Sequence, residues 1–286
     1  MSEGAPTLRE FLDAWDLFRD PVITGMCAGL LLGYLGVFIV LRRMVFVSAA
    51  LSQAAALGVS LTFLADVLGL LPKSLAEPVG GALLFALGAM AFFMRNTEKF
   101  RLTREGLLGL GYLLGASGAV LVGDRITQEA HDVSAILFGP GVVVRTVDFY
   151  LTVGTAAVLL PLHLLMQRGL IFTSFDEQSA RVQRLPVARL NFFLFLSIGV
   201  AVAFTTHAIG AMSVFAFSVL PAMTALALSH RLGLVLILSP ALGLACGGGG
   251  YLLAFLYRFP VGASQTMLAC ACCGIAMLVA AVRNRD

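Results

Sequence analysis

The side chains in this chain that are able to do chemistry are few, and most of them interrupt long apolar runs. Of the histidines, His131 and His230 fall in connections and are expected to face water. His163 and His207 lie near the ends of apolar stretches, where an ionisable group is a functional candidate. His207 can face an outer vestibule or sit at the interface in contact with water, and His163 can serve a pathway or snorkel to the inner edge. Asp148 lies close to a span end. Cys270, Cys272 and Cys273 form a Cys-x-Cys-Cys cluster soft enough for a thiophilic metal, and also small enough to serve as a helix contact. All five cysteines sit inside apolar runs, which argues against a disulfide framework. A polar line of Ser213, Ser218 and Thr224 surrounds Pro221. That proline frees backbone carbonyls, so the line can face a wet pathway or pack a kink with hydroxyl contacts. The run 247–250 is four consecutive glycines, read as close packing or as a hinge. The segment 171–180 reads Ile-Phe-Thr-Ser-Phe-Asp-Glu-Gln-Ser-Ala. Here Ser174 can cap a short helix, with Glu177 three positions on completing a capping box. With Phe172 and Phe175 exposed, such a helix suits a groove on a partner, although a plain solvated loop fits the same residues.

What is missing bounds the chemistry. There is no Gly-x-x-x-x-Gly-Lys-Ser/Thr phosphate loop, so this chain does not hold ATP in that way. No His-Glu-x-x-His site and no Ser/His/Asp set appears either, so the chain is not expected to be an enzyme. Its net charge of +3 is too small to argue for nucleic acid.

The elements that must position these residues follow from composition. The 286 residues are 59% hydrophobic and 12% charged, with mean hydropathy +0.94. An ordinary soluble domain is about 45–50% apolar and about 25% charged, so the excess makes sense only in a bilayer. A crossing helix needs about 20 mostly apolar residues. Nine runs qualify, near 21–41, 44–65, 79–94, 106–123, 148–166, 190–206, 210–229, 233–257 and 261–282, and eight spans result if one of the short ones fails to cross. The expected fold is an all-α polytopic helix bundle. Residues 1–20 carry Glu3, Glu10, Asp13, Asp16 and Asp20 without a basic leader, so they read as a short amphipathic segment on the membrane surface and not as a signal peptide. Residues 21–286 form one transmembrane domain, with 167–189 as its longest inner connection. With the N-terminus outside, 13 of the 19 Lys and Arg residues fall on inner segments, which favours that orientation with an inner C-terminus.

Segment 171–180 resembles the coupling helix of the ATP-binding-cassette importer permeases for zinc, manganese and iron. Four further segments resemble the same family in the same order. They are 25–43, ending Val40-Leu41-Arg42-Arg43; 50–59, containing Leu51-Ser52-Gln53; Leu137-Phe138-Gly139 followed by Asp148; and Ile209-Gly210 with Val219-Leu220-Pro221-Ala222, leading to Phe259-Pro260-Val261-Gly262-Ala263. The resemblance covers about residues 20–282. It implies a permease subunit working as a homodimer in a bacterial inner membrane, with no cofactor of its own. It also implies a cytoplasmic ATPase that binds ATP and magnesium, and an extracytoplasmic solute-binding protein that delivers a divalent metal. By the same resemblance, Ser174, Phe175, Asp176, Glu177, Gln178 and Ala180 are the ATPase-coupling residues. Gln53, Ala49, Ser52, Ser213, Ser218, Pro221, Thr224 and His207 are the candidate substrate pathway.

One departure bears on the substrate. Members of the family usually carry an Asp and, four residues later, a His in the second span, one turn apart on a helix face. Here those positions read Ala49 and Gln53. A neutral amide compensates a dication poorly in a low-dielectric pathway. Two alternatives therefore stand beside the metal permease. One is the same architecture carrying a non-metal substrate, and the other is a secondary transporter driven by an ion gradient.

Overall fold

The computed structural model describes residues 8–70, 72, 77–94, 103–126 and 144–283. Among these, helices α1 (Leu8–Asp13), α2 (Trp15–Leu41), α3 (Val45–Val67), α4 (Pro78–Met94), α5 (Arg104–Ile126), α6 (Thr146–Phe175), α7 (Glu177–Val182), α8 (Val187–Ile209), α9 (Ala211–Leu228), α10 (Leu232–Tyr257) and α11 (Val261–Arg283) follow one another without a strand. The all-α bundle is what the composition requires, because a helix satisfies its own backbone where no water is at hand.

Eight of these helices are long and apolar enough to cross a bilayer. The ninth expected span, α4, has 17 residues; that is about 25 Å of rise against a hydrocarbon core of about 30 Å. Two boundaries differ from those read in the sequence by more than three residues. Helix α2 starts at Trp15, so the end of the amphipathic segment is already the first turn of the first long helix. There Phe11 and Phe18 stack at 5.5 Å and pack against Phe255 of α10, which gives the early start its apolar support. Helix α6 runs on to Phe175, because the hydroxyls of Thr173 and Ser174 both turn back onto the Leu170 carbonyl and travel inside the helix.

In lipid, helices are drawn together by close packing and not by burial from water. The seam between α2 and α10 shows how. Gly25, Gly29 and Gly33 of α2 lie against Gly247, Gly243 and Ser239 of α10, an antiparallel register with one small residue per turn on each side. Ser239 Oγ donates to the Gly33 carbonyl at 2.6 Å and locks the register. One turn on, Gly36 sits against Ser218 of α9, so α2 is wedged between two neighbours. The glycine run 247–250 therefore serves packing: Gly247 touches Gly25, Gly248 touches Met26, and Gly250 touches Gln265 of α11. Large apolar side chains such as Leu165, Ile237 and Leu278 point outward, as lipid-facing surfaces require.

Two arginines mark the opposite ends of the bundle. Arg42, at the end of α2, bonds the last turn of α6 and the first turn of α8. Arg145, at the start of α6, reaches the opening of α4 and the end of α8. The chain thus crosses in alternating directions, and residues 167–189 lie at the same end as Arg42.

Candidate coupling and substrate-pathway sites

The short helix α7 forms where the sequence analysis placed it, with a different cap. Its N-cap is Asp176, in extended conformation at φ −146° and ψ 94°, whose carboxylate accepts the Ser179 N–H at 2.9 Å and the Ser179 hydroxyl. The expected cap on Ser174 with its box at Glu177 is not what forms. Ser174 is spent inside α6, and the break falls two residues later at the first residue able to leave the helix and reach forward. These bonds to Ser179 hold the Asp176 carboxyl below the ordinary carboxylate range. Glu177 pairs instead with Arg181, one turn on at 2.6 Å. The far end of α7 closes with Arg184 in the left-handed region at φ 59°, the Arg184 N–H on the Arg181 carbonyl and the Leu185 N–H on the Ala180 carbonyl. That is a Schellman ending with arginine where glycine usually stands. Ala180 is fully buried, while Phe175, Gln178 and Val182 are exposed, so α7 is seated on the bundle by one side and presents apolar and polar groups on the other.

Above α7 lies a cavity of about 440 Å³ lined by Arg42, Arg43, Thr173, Ser174, Glu177 and Asn191 among others. Arg42 donates to Ser174 Oγ at 2.9 Å, to Asn191 Oδ1 at 2.7 Å and to Thr173 Oγ1 at 3.1 Å. Phe195 lies 6.0 Å below the guanidinium. Burial pushes the Arg42 group down from its ordinary value, and the Glu177 carboxylate opposes that shift. Sequence reasoning quoted Arg42 only as part of a segment and missed Asn191. The one signal was a pair of arginines at the end of an apolar run.

The pathway candidates separate into two kinds. Ala49 and Gln53 are both buried on α3, one turn apart. Ser52 Oγ donates to the Ala49 carbonyl at 3.0 Å. Gln53 Oε1 is buried with no partner among the described residues. Gly115 of α5 allows the approach, because a β-carbon there would lie 2.7 Å from the Gln53 backbone. On α9, Ser218 and Thr224 give their protons to the carbonyls of Phe215 and Leu220 in their own helix, and Ser213 donates across to the Gly262 carbonyl. Helix α9 packs on α3, but Ser218 and Thr224 act as local backbone bonds around Pro221, and Ser213 ties α9 to the start of α11. Among the pathway candidates, Gln53 Oε1 is the buried oxygen with no hydrogen bond of any kind among the described residues.

His207 does not behave as an interfacial ring in water. Its Nδ1 donates to Asp148 Oδ1 at 3.0 Å, and its side chain is only 11% exposed. Asp148 is buried and also accepts from Arg145 Nε at 3.0 Å, while Arg145 reaches Glu77 of the α3–α4 connection at 3.8 Å. Nothing in the spacing of Asp148 and His207 announced the pair. His163, expected either in a pathway or snorkelling to the edge, is fully buried. Its Nδ1 lies 2.9 Å from the Leu159 carbonyl and its Nε2 lies 3.0 Å from Ser197 Oγ, with the Phe193 ring 4.7 Å away. The cysteine cluster splits across faces, with Cys270 exposed and Cys273 buried, and no group of three metal-ligating side chains forms among the described residues. His131 and the motif 137–139 lie outside the described residues.

This arrangement of helices has known relatives. The model of the ABC 3 transport family matches residues 14–280. The chain belongs to that family. Like other ABC 3 transporters, it is a multi-pass membrane protein of the ATP-binding-cassette class, and membership removes the ion-gradient alternative. It is similar to the manganese transport system membrane protein MntC of Listeria monocytogenes, 25% identical over 95% of this chain and 93% of that one. It is also similar to the manganese import system permease protein ScaB of Streptococcus parasanguinis, 26% identical over 89% of each. Among solved structures it resembles PsaBC from Streptococcus pneumoniae in complex with Fab, with TM-score 0.80 and 25% identity over 94% of this chain and 95% of that one.

Proposed function

We propose that this ABC 3 family chain is the permease subunit of a bacterial inner-membrane importer for a divalent transition metal, manganese before zinc or iron. The observation that carries this is the likeness, over about nine tenths of the chain or more, to membrane proteins named for manganese transport and manganese import, with α7 presented as a capped helix at one end of the bundle. Two copies of the chain pair to enclose the pathway. The N-terminus lies outside and α7 lies in the cytoplasm, in keeping with the bias of Lys and Arg toward that side. A cytoplasmic ATPase grips Phe175, Asp176, Gln178 and their neighbours, and ATP and magnesium reside on that partner. A solute-binding protein docks at the outer end and releases metal into the pathway. ATP-driven closure of the ATPases pulls α7, tilts α6 and α8, and exchanges outward for inward access.

A second reading rests on Ala49 and Gln53, which leave the second long helix with a carbonyl oxygen in place of a carboxylate and an imidazole. It keeps the permease and changes the cargo to a non-metal solute. The deciding experiment is uptake into proteoliposomes that hold the permease, its ATPase and ATP, with the binding protein outside and manganese, zinc or iron(II) offered separately. ATP-dependent accumulation of one metal supports the first reading. A complex that hydrolyses ATP in response to the binding protein and accumulates none of them supports the second.

A further inference from the structure

We propose that Arg42 is the positioning residue through which movement of α7 reaches the rest of the bundle. The inference rests on the reading of α7 as the ATPase contact, and it names the element that receives the stroke.

Helix α7 has six residues and is tethered at both ends, to α6 through Asp176 and to α8 through residues 183–186. Arg42 holds both tethers. Its guanidinium donates to Thr173 and Ser174 in the last turn of α6 and to Asn191 in the first turns of α8, from a position at least 131 residues away in sequence. Thr173 and Ser174 have given their own protons to the Leu170 carbonyl, so their oxygens remain as acceptors. Only a donor can join them to a third helix, and three acceptors in three directions need the rigid, planar fork of arginine.

The base of this clamp is firm. Arg43 takes the left-handed conformation at φ 55°, and the Met44 N–H closes on the Ile39 carbonyl at 2.9 Å, so the end of α2 that carries Arg42 is sealed by a Schellman motif. From there α2 runs 27 residues toward the outer end, seated in the small-residue seams with α10 and α9. A displacement at Arg42 is thus passed to a helix already meshed with two others. The cavity of about 440 Å³ between Arg42, Ser174, Glu177 and Asn191 leaves space for the tethers to shift without opening the core. Coupling between sites requires an element that both ends bias, and Arg42 is the one side chain bonded to both flanks of α7 among the described residues.

The test uses the complete transporter in proteoliposomes, with ATP hydrolysis measured with and without manganese-loaded binding protein on the outside. Stimulation by that protein is a signal that must cross the bundle, and basal hydrolysis is not. Arg42→Ala and Arg42→Lys are expected to keep basal hydrolysis while stimulation falls by about fivefold or more. Asn191→Ala falls less, and the Arg42→Ala/Asn191→Ala pair falls no further than Arg42→Ala alone. Full stimulation in Arg42→Ala overturns the proposal, and so does a proportional loss of basal and stimulated rates. Failure of both Arg42 variants to co-purify with the ATPase also overturns it, because Arg42 then builds the docking surface and transmits nothing. A wild type that no binding protein stimulates removes the reading of α7 together with the proposal. Stimulation without manganese uptake removes only the cargo, and leaves the role of Arg42 decided by the variants.

Discussion

Gly29 of α2 and Gly243 of α10 meet with no side chain between them: a β-carbon on Gly29 would lie 2.1 Å from the Gly243 carbonyl oxygen, and one on Gly243 would lie 2.0 Å from that of Gly29. The obstruction on both sides is backbone, which cannot rotate away as a side-chain tip can. Gly243→Ala is therefore expected to force α2 and α10 apart at a cost of about 1–3 kcal/mol, the usual range for overpacking. Gly154→Ala on α6 is the control, because nothing lies within 4 Å of its β-carbon. Thermal unfolding in detergent should show a lowered midpoint for the first and none for the second. Equal midpoints would remove the seam from the account of stability.

The cluster around Asp148 gives an ordered series. Asp148 is buried between Arg145 and His207. His207→Ala leaves the Arg145–Asp148 pair in place and should be mild. Asp148→Ala removes the buried carboxylate that both Arg145 and His207 contact, and leaves Arg145 only the longer reach to Glu77 at 3.8 Å. Because Arg145 stays half in water, the loss should be about 1–3 kcal/mol, less than for a fully buried pair. Denaturation of the purified permease should rank Asp148→Ala below His207→Ala, and the reverse order would show that the histidine carries the contact.

For the cargo, Ala49→Asp with Gln53→His puts a carboxylate and an imidazole one turn apart on the buried face of α3. A charged ligand pair strengthens binding of a transition metal and slows its release, so an importer that already carries manganese should transport it more slowly, by about tenfold, and bind it more tightly. If the pair creates metal uptake where the natural chain shows none, the natural cargo is not a metal. Radioactive manganese uptake together with equilibrium binding reads both quantities.

Asp176 sets a pH dependence with a definite sign. Its carboxyl is depressed in the folded state by Ser179, so the cap is complete above the unfolded carboxylate range and is lost as pH falls through the lowered folded value. Across pH 6–8 the α7 cap should therefore be constant, and Asp176→Asn, which can still accept from the Ser179 N–H, should retain stimulated ATP hydrolysis across that range. Asp176→Ala should lose several-fold of it, since no acceptor remains for the first turn. A wild-type profile that collapses between pH 8 and 6 while Asp176→Asn stays flat would contradict this assignment.

How far the sequence could be read differs from place to place. The short helix α7 was legible because a capping pattern in a polar interval between apolar runs is a local feature, yet the cap fell on Asp176 and not on Ser174. A serine near a helix end can turn its hydroxyl back to the fourth carbonyl before it or forward to the next turn, and the two choices look alike in sequence. That position 53 offers a neutral carbonyl oxygen, one turn from Ala49, was legible from the residue types alone. The fate of Ser218 and Thr224 was not, because hydroxyls that bond their own helix and hydroxyls that line a pathway have the same spacing, and that of Ser213 was not, because its acceptor, Gly262, lies 49 residues away.

By itself, the sequence determined that this protein lives in a bilayer, that it is helical, the order of its apolar runs and the place of a short helix in the polar interval around α7. Each of these reflects composition or short-range periodicity, which record the solvent around each stretch and the need of the backbone to satisfy itself there. Only the tertiary structure decided that Arg42 clasps Ser174 and Asn191, that Asp148 meets His207, and that Gly29 faces Gly243. In a bilayer the apolar surface of a helix is equally content against lipid or against another helix, so the hydrophobic pattern does not choose neighbours. The choice falls to backbone contacts between small residues and to polar groups that must find partners, and both depend on atoms brought together from distant parts of the chain.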